Sequence, residues 1–165
     1  MKILFVSSEC APFSKSGGLA DVAFSLPPAL QKTGDELTIV IPMYRVTQEN
    51  YGDQFSLIKT CVIHLGQRQL SCALYKGELN GVMVYAIGNE HLFHRPRLYG
   101  CGDDSLRFAF FCRAVIDLLP EFGDLPDILH CNDWETALAI LYLKNDAVLN
   151  DALSHIKTVY TIHNI

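Results

Sequence analysis

Residues 2–6 read Lys2-Ile3-Leu4-Phe5-Val6 and residues 15–19 read Lys15-Ser16-Gly17-Gly18-Leu19, and what surrounds these two pieces decides the fold. Residues 3–6 form an unbroken apolar run, as in a strand buried on both faces. A loop over residues 7–18 follows, with Pro12 inside it and the glycine pair at its end. Leu19, Val22, Ala23, Leu26 and Leu30 then fall on one face of a helix. Pro27-Pro28 sit inside that pattern, and each removes a backbone donor, so the helix is expected to kink there or end early. Gly34 closes the unit, and residues 37–41 read as a second buried strand stopped by Pro42. Strand, glycine-rich loop, helix and strand make a βαβ unit, which is right-handed in nearly all cases.

The middle of the chain has a different rhythm. Residues 55–65, 69–76 and 82–87 are short β-rich runs, and Asn80-Gly81 is a strong hairpin turn between the last two. Residues 89–102 read as a long irregular loop, of the kind that often carries function. The α/β alternation then returns. Phe108, Phe111, Cys112, Val115, Leu118 and Leu119 stripe a helix ending near Pro120, residues 128–131 form a short strand, and Trp134, Leu138, Leu141 and Tyr142 stripe another helix. Residues 158–162 form a last strand. The expected fold class is α/β: a Rossmann-like, doubly wound, mostly parallel sheet with an inserted β-hairpin. The sequence stops just after a strand end, where ligand crevices lie in such sheets, which points to one piece of a larger protein.

Composition narrows the function. Half of the 165 residues are hydrophobic, 19% are charged, and the formal charge is −5. That is enough apolar material for a core and argues against disorder. A basic face is lacking, so nucleic acid is not an expected partner. No apolar stretch approaches the roughly 20 residues that span a bilayer, so no membrane partner is expected. The first apolar run is too short for a signal-peptide core, and a cytoplasmic protein is expected. The six cysteines, at 10, 61, 72, 101, 112 and 131, contain no C-x-x-C pair and read as reduced thiols. No H-E-x-x-H or comparable spacing suggests a metal site, and no G-x-S-x-G elbow suggests a serine hydrolase.

Three clusters can carry chemistry. In the first, Gly17 and Gly18 let the backbone approach a ligand, the helix N-terminus offers unpaired N–H groups, and Lys15 adds a positive charge. A pyrophosphate fits that arrangement; so does a plain glycine-rich turn with an exposed lysine. It is neither G-x-G-x-x-G nor a phosphate-binding Walker loop. The second is His130-Cys131-Asn132-Asp133-Trp134, at a strand end. Asp133 is placed to cap the helix beginning at Trp134, and His130 points either into the crevice or into the core. The third is Thr161-Ile162-His163-Asn164, again at a strand end. Beyond these, Asp103-Asp104 either cap the Phe108 helix or present a carboxylate to sugar hydroxyls. His91, His94, Arg95, Arg97 and Tyr99 fill the loop before them. His64 and His155 carry no pattern.

The opening Lys2-Ile3-Leu4-Phe5-Val6-Ser7-Ser8-Glu9-Cys10-Ala11-Pro12-Phe13, followed by Lys15-Ser16-Gly17-Gly18-Leu19-Ala20-Asp21-Val22, closely resembles the start of glycogen and starch synthases. Leu26-Pro27, Ala29-Leu30, Arg95-Pro96, Tyr99-Gly100, Asp103, Leu106-Arg107-Phe108, His130 to Trp134 and Thr161 to Asn164 continue the resemblance in the same order. It covers the whole chain. It implies a retaining glucosyltransferase of the GT-B fold that moves glucose from ADP-glucose, or less often UDP-glucose, to the non-reducing end of an α-1,4-glucan. It implies no cofactor and no metal. It also implies that residues 1–165 are the N-terminal, acceptor-side domain, that a donor-binding C-terminal domain is missing, and that the chain alone is inactive.

By the same resemblance, Lys15, Gly17 and Gly18 approach the donor diphosphate, Asp103, His130 and His163 are catalytic, and Asn132, Asp133, Asn164 and Tyr99 hold acceptor or sugar. The chain departs from the usual pattern at Ser16, at Asn132 and at Glu135, where many relatives carry threonine or valine, histidine and histidine. Two alternatives stand beside this reading. One is a carbohydrate-binding module that never did chemistry. The other is a dehydrogenase, for which Asp35-Glu36 would grip a ribose; they precede strand two instead of ending it.

Overall fold

The computed structural model describes residues 1–164. In chain order the elements are β1 (Lys2–Val6), α1 (Gly18–Gln31), β2 (Glu36–Pro42), α2 (Arg45–Tyr51), β3 (Ser56–Leu65), β4 (Arg68–Leu79), β5 (Val82–Gly88), α3 (Glu90–Phe93), α4 (Asp104–Asp117), β6 (Ile128–Asn132), α5 (Trp134–Ala147) and β7 (Lys157–Thr161). All seven strands join one sheet in the order β3-β4-β5-β2-β1-β6-β7. The pairs β1–β2, β1–β6, β2–β5 and β6–β7 are parallel, and β3–β4 and β4–β5 are antiparallel. The sheet is therefore the expected mostly parallel one, with the hairpin forming one edge.

Alternation along the strands explains why their apolar runs are continuous. Ile3, Phe5, Leu37, Ile39 and Ile41 face α1, where Ala23 packs on them. Leu4, Val6, Val40, Leu129 and Cys131 face the other way, against Phe110, Phe111, Ala114 and Val115 of α4 and Ala139 and Leu143 of α5. Both faces are covered, as parallel sheets require. Each fully buried aliphatic or aromatic side chain contributes about 1.5–3 kcal/mol. The hairpin turn is where the sequence places it: Asn80 has φ +53° and Gly81 φ +83°, the two positive angles of a type I′ turn.

Two local expectations need correction, and one helix was not expected at all. α1 runs through Pro27 and Pro28 to Gln31 rather than stopping at them. Two ladder donors are lost, but Leu19, Ala20, Ala23 and Pro27 are buried against the sheet, and that burial outweighs them. The chain after Pro42 forms α2, which carries no apolar stripe in its sequence and buries only Thr47. The segment 89–102 is not irregular throughout: it begins with α3, whose first turn is capped by the Asn89 side chain accepting from the Leu92 N–H at 2.9 Å. All six cysteines are free thiols. No helix among the described residues is long and apolar enough to cross a membrane.

Candidate functional site

The chain leaves β1 through α1 to reach β2 on one side, and leaves β5 through α4 to reach β6 on the other side of β1. The direction of winding thus reverses between β1 and β6, and ligands of open α/β sheets bind at such a reversal, past the strand C-termini. The loop after β1 carries Lys15, Gly17 and Gly18, the end of β6 carries Asn132 and Asp133, and β7 leads into His163 and Asn164. The three polar clusters singled out in the sequence therefore share one edge of the sheet.

Glu9 holds the loop after β1 from inside. Its side chain is nearly buried (4% exposed). Its carboxylate accepts from the Ser16 N–H, from the Ser16 hydroxyl at 2.7 Å and from the Gly17 N–H at 3.2 Å. The Tyr99 hydroxyl lies 2.8 Å from Glu9 Oε1 and 2.9 Å from Ser8 Oγ. A phenol has one proton, so Tyr99 gives it to the carboxylate, and the Ser8 hydroxyl supplies the second bond. Burial pushes the Tyr99 phenol well above its ordinary value, so it stays a donor. Tyr99 thus ties the 94–103 segment to the glycine loop.

Nothing in the chain itself requires glycine at 17 or 18. Gly17 is extended, at φ −147°, and neither residue lies in the left-handed region. A Cβ added at either meets no atom within 4 Å. The glycines therefore keep a space open beside the start of α1, whose first turn no side chain caps. Lys15 reaches Asp21 at 2.5 Å, but both side chains are more than half exposed. Such surface pairs are weak, so the lysine is readily given up to an anion. Lys15 also lines a cavity of about 300 Å³ together with Arg95, Arg97, Phe13, Tyr44 and Tyr51.

Asp103 and Asp104 do not cap α4 in the expected way. Asp103 occupies the N-cap position without a cap bond, and its Oδ2 takes Arg95 Nη2 at 3.0 Å. Asp104 instead accepts from the Gly100 N–H at 2.7 Å, from the Cys101 N–H at 3.3 Å and from Arg107 Nη1 at 2.5 Å. Cys101, Asp103 and Asp104 place one ligand atom each within 4.8 Å of one another, the one such group among the described residues. Both carboxylates are already engaged by arginines.

At the other side of the crevice, Asn132 is fully buried. Its Nδ2 donates to the Val6 carbonyl at 3.0 Å, and its Oδ1 lies 2.9 Å from His163 Nε2. With the amide so oriented, Oδ1 is the acceptor and His163 carries its proton on Nε2. Asp133 has φ +58° and ψ 175°, a conformation that costs a non-glycine residue about 1–3 kcal/mol. Its side chain does not cap α5 as the sequence suggests. It turns to the chain leaving β7, accepting from the His163 N–H, the Asn164 N–H and Asn164 Nδ2. That anchor holds Asp133 in its strained geometry.

His130 lies two residues back from the end of β6, in register with Phe5. Its ring packs edge-on against Phe5, with centroids 4.9 Å apart, and its Nε2 is 2.8 Å from Thr161 Oγ1. Burial, and then the neighbouring His163, lower its pKa below the ordinary value. It is therefore neutral near pH 7, on the α1 face of the sheet.

Sequence reasoning did not assign Glu9, Arg107, Trp134 or Glu135. Trp134 is 53% exposed at the start of α5 while its ring meets Phe108 edge-on at 5.2 Å, which leaves an aromatic face free at the crevice. Glu135 is 6% exposed and its Oε2 has no partner. Burial, with Asp133, Glu9 and Asp104 nearby, raises its pKa to about 7. The folded chain thus holds a proton on Glu135 between pH 4.5 and 7 that the unfolded chain has released. Stability from this group is full below the lower value, falls as pH rises through that window and is flat above it. Glu135→Gln is expected to stabilise the chain by about 1–2 kcal/mol at pH 8 and by little at pH 4.5, in urea titrations across that range. A constant difference between variant and parent at all pH values would contradict this.

Known proteins resemble the chain over its whole length. The starch synthase catalytic domain family matches residues 2–165. The chain is 45% identical over 165 residues to the glycogen synthase of Bacillus cereus (strain Q1), covering 100% of this chain and 35% of that protein. It is 41% identical to the glycogen synthase of Anoxybacillus flavithermus, covering 100% of this chain and 34% of that one. Among solved structures, the catalytic domain of starch synthase IV from Arabidopsis thaliana bound to ADP and acarbose superposes with a TM-score of 0.86 at 31% identity, over 99% of this chain and 34% of that one. The chain thus spans about a third of the length of these relatives. It belongs to the glycogen and starch synthase family of glycosyltransferases.

Proposed function

We propose that the chain forms the acceptor-side half of a retaining glucosyltransferase that moves glucose from ADP-glucose to the non-reducing end of an α-1,4-glucan. The observation that carries this reading is the glycine pair: space is kept open at Gly17 and Gly18, on a loop pinned by Glu9, at the reversal point of the sheet. The ADP held by the starch synthase IV catalytic domain supports an adenosine diphosphate donor.

In this reading Gly17 and Gly18 let the donor diphosphate approach the uncapped first turn of α1, and Lys15 leaves Asp21 to meet its charge. Charge that develops on a leaving diphosphate is the part of such a reaction most in need of fixed donors. His163, whose Nε2 proton is held on Asn132, offers Nδ1 as its remaining polar atom. Asn164 and Asp133 set where that ring stands. Asp103 and Tyr99 flank the crevice from the 94–103 segment, and His130 supports the β6 and β7 ends. The reading assigns no role to a metal or a cofactor.

The chain holds only one wall of such a site, and the remaining donor contacts come from the rest of a longer protein. Exposed Leu138 and Leu141 on α5 and Val159, Tyr160 and Ile162 on and after β7 support further chain packing there.

The test separates a transferase from a carbohydrate-binding module. In the longer protein, Lys15→Ala is expected to lower glucosyl transfer from ADP-glucose by about 10²–10³-fold while glycogen binding changes less than twofold. Equal loss of both would favour the binding module. The isolated chain is expected to bind but not to turn over, and robust transfer by it alone would overturn the two-part site.

A further inference from the structure

On the hairpin edge of the sheet, far from the glycine loop in sequence, Cys61 of β3 and Cys72 of β4 are direct cross-strand partners. Opposed residues of an antiparallel pair point to the same face, so the two thiols face one another. Cys72 is buried (3% exposed) and Cys61 is partly open. Both line one cavity of about 240 Å³, beside Ser71, Asn89 and His94. Cys10, Cys112 and Cys131 are fully buried, and Cys101, the other partly open thiol, sits on the separate 94–103 segment.

We propose that Cys61 and Cys72 form a thiol–disulfide exchange site, in which a small-molecule disulfide of the glutathione class oxidises the pair to a cross-strand disulfide. The first step falls to Cys61, because it is the member that a reagent in the cavity can reach. Its thiolate attacks one sulfur of the oxidised reagent. A Cys61–reagent disulfide forms, the reagent's own S–S bond breaks, and one reduced thiol departs with the proton Cys61 gave up. Cys72 then loses its proton and attacks Cys61 Sγ, which forms the protein disulfide and releases the second reduced thiol. Two protein thiols are oxidised and one reagent disulfide is reduced.

Geometry favours closure over a stop at the mixed disulfide. Opposed Cβ atoms in a sheet stand about 4.5–5.5 Å apart, and a disulfide needs about 3.5–4.5 Å. The strands must therefore draw together slightly. β3 can move, since it is the sheet edge, pairs only with β4, and is already irregular between Leu57 and Lys59. The slight misfit makes the bond more reducible than a structural disulfide, as strained bonds are. Burial, and then the adjacent Cys61, push the Cys72 thiol up, so the closing step is expected to be the slower one.

The experiment equilibrates the folded chain with oxidised and reduced glutathione at a poise of about −180 mV, quenches with acid, alkylates free thiols and maps the peptides by mass. The expected product is a peptide pair joining residues 61 and 72, reversed on returning to about −300 mV. Cys72→Ala is expected to halt at glutathione on Cys61, and Cys61→Ala to leave Cys72 unmodified. Circular dichroism taken before quenching confirms that each variant is folded, and Cys72→Ser replaces Cys72→Ala should the alanine variant fail that check. Free alkylation of both residues at the oxidising poise, or linkage of either to another cysteine, overturns the proposal. None of these readouts depends on glucosyl transfer.

Discussion

Arg107→Leu is expected to lower the unfolding free energy by about 3–5 kcal/mol, the cost of removing one member of a buried ion pair. Arg107 is fully buried in the middle of an apolar helix face. Its Nε donates to the Leu92 carbonyl at 2.6 Å, and its Nη1 donates to the Leu98 carbonyl at 3.0 Å and to Asp104. Its guanidinium lies over the rings of Phe93 and Phe108, 5.7 and 5.4 Å from their centroids. One side chain therefore terminates α3, folds the 94–103 segment back and neutralises the start of α4. Leucine fills part of the volume, leaves the Leu92 and Leu98 carbonyls without the guanidinium donor, and leaves Asp104 without its cation. Chemical denaturation measures the loss, and hydrogen exchange should show residues 94–103 opening before the sheet. Arg107→Lys should recover less than half, since an ammonium cannot span the two carbonyls and the carboxylate together. A loss under about 1 kcal/mol for leucine would mean the network does not hold the segment.

The parallel sheet was legible because strands buried on both faces are apolar at nearly every position: residues 3–6 are apolar throughout, and residues 37–41 are broken only by Thr38. The Asn80-Gly81 turn was legible because few other pairs accept two positive φ angles. At the proline pair and at Asp133 the misses share a cause: a local rule was outweighed by burial or by a distant partner. Pro27 and Pro28 cost α1 two donors, but Leu19, Ala20, Ala23 and Pro27 itself are buried. α2 has no stripe to read because it buries almost nothing. Asp133 reads as a helix cap by spacing, yet its carboxylate is claimed by His163 and Asn164, about thirty residues away. Glu9 could have been found from its own chemistry: an acidic residue just past a buried strand, next to a glycine loop full of unpaired N–H groups, has obvious partners. Arg107 left a trace too, as the one cation on the stripe that carries Phe108 and Phe111. For the site, the strand ends that carry polar groups can be read from local pattern; which of those groups face one another depends on sheet order, which no local pattern encodes.

These bonds divide the crevice residues into two kinds. Glu9, Asn132 and Asp133 spend their polar atoms inside the chain, so they fix geometry. Lys15, Gly17, Gly18 and Trp134 leave atoms or space open toward solvent, so they are the ones with something left to offer a ligand. The first kind should fail in stability assays when altered, the second in transfer assays.

Gly17→Val is the sharpest test of that division. An added Cβ meets nothing of the chain within 4 Å, and the residue is already extended, so unfolding free energy is expected to shift by no more than about 0.5 kcal/mol. In the longer protein, transfer from ADP-glucose should fall by at least about 10²-fold, because a branched side chain stands where a diphosphate must come within hydrogen-bond distance of the backbone. Gly34→Ala supplies the opposite pattern. Gly34 has φ +100°, so alanine there should cost about 1 kcal/mol or more and leave transfer unchanged once the protein is folded. Only a ligand that passes close to residue 17 produces this crossing of effects. Full transfer by a folded Gly17→Val protein would show that no diphosphate approaches the loop, and the space beside α1 would then need another occupant.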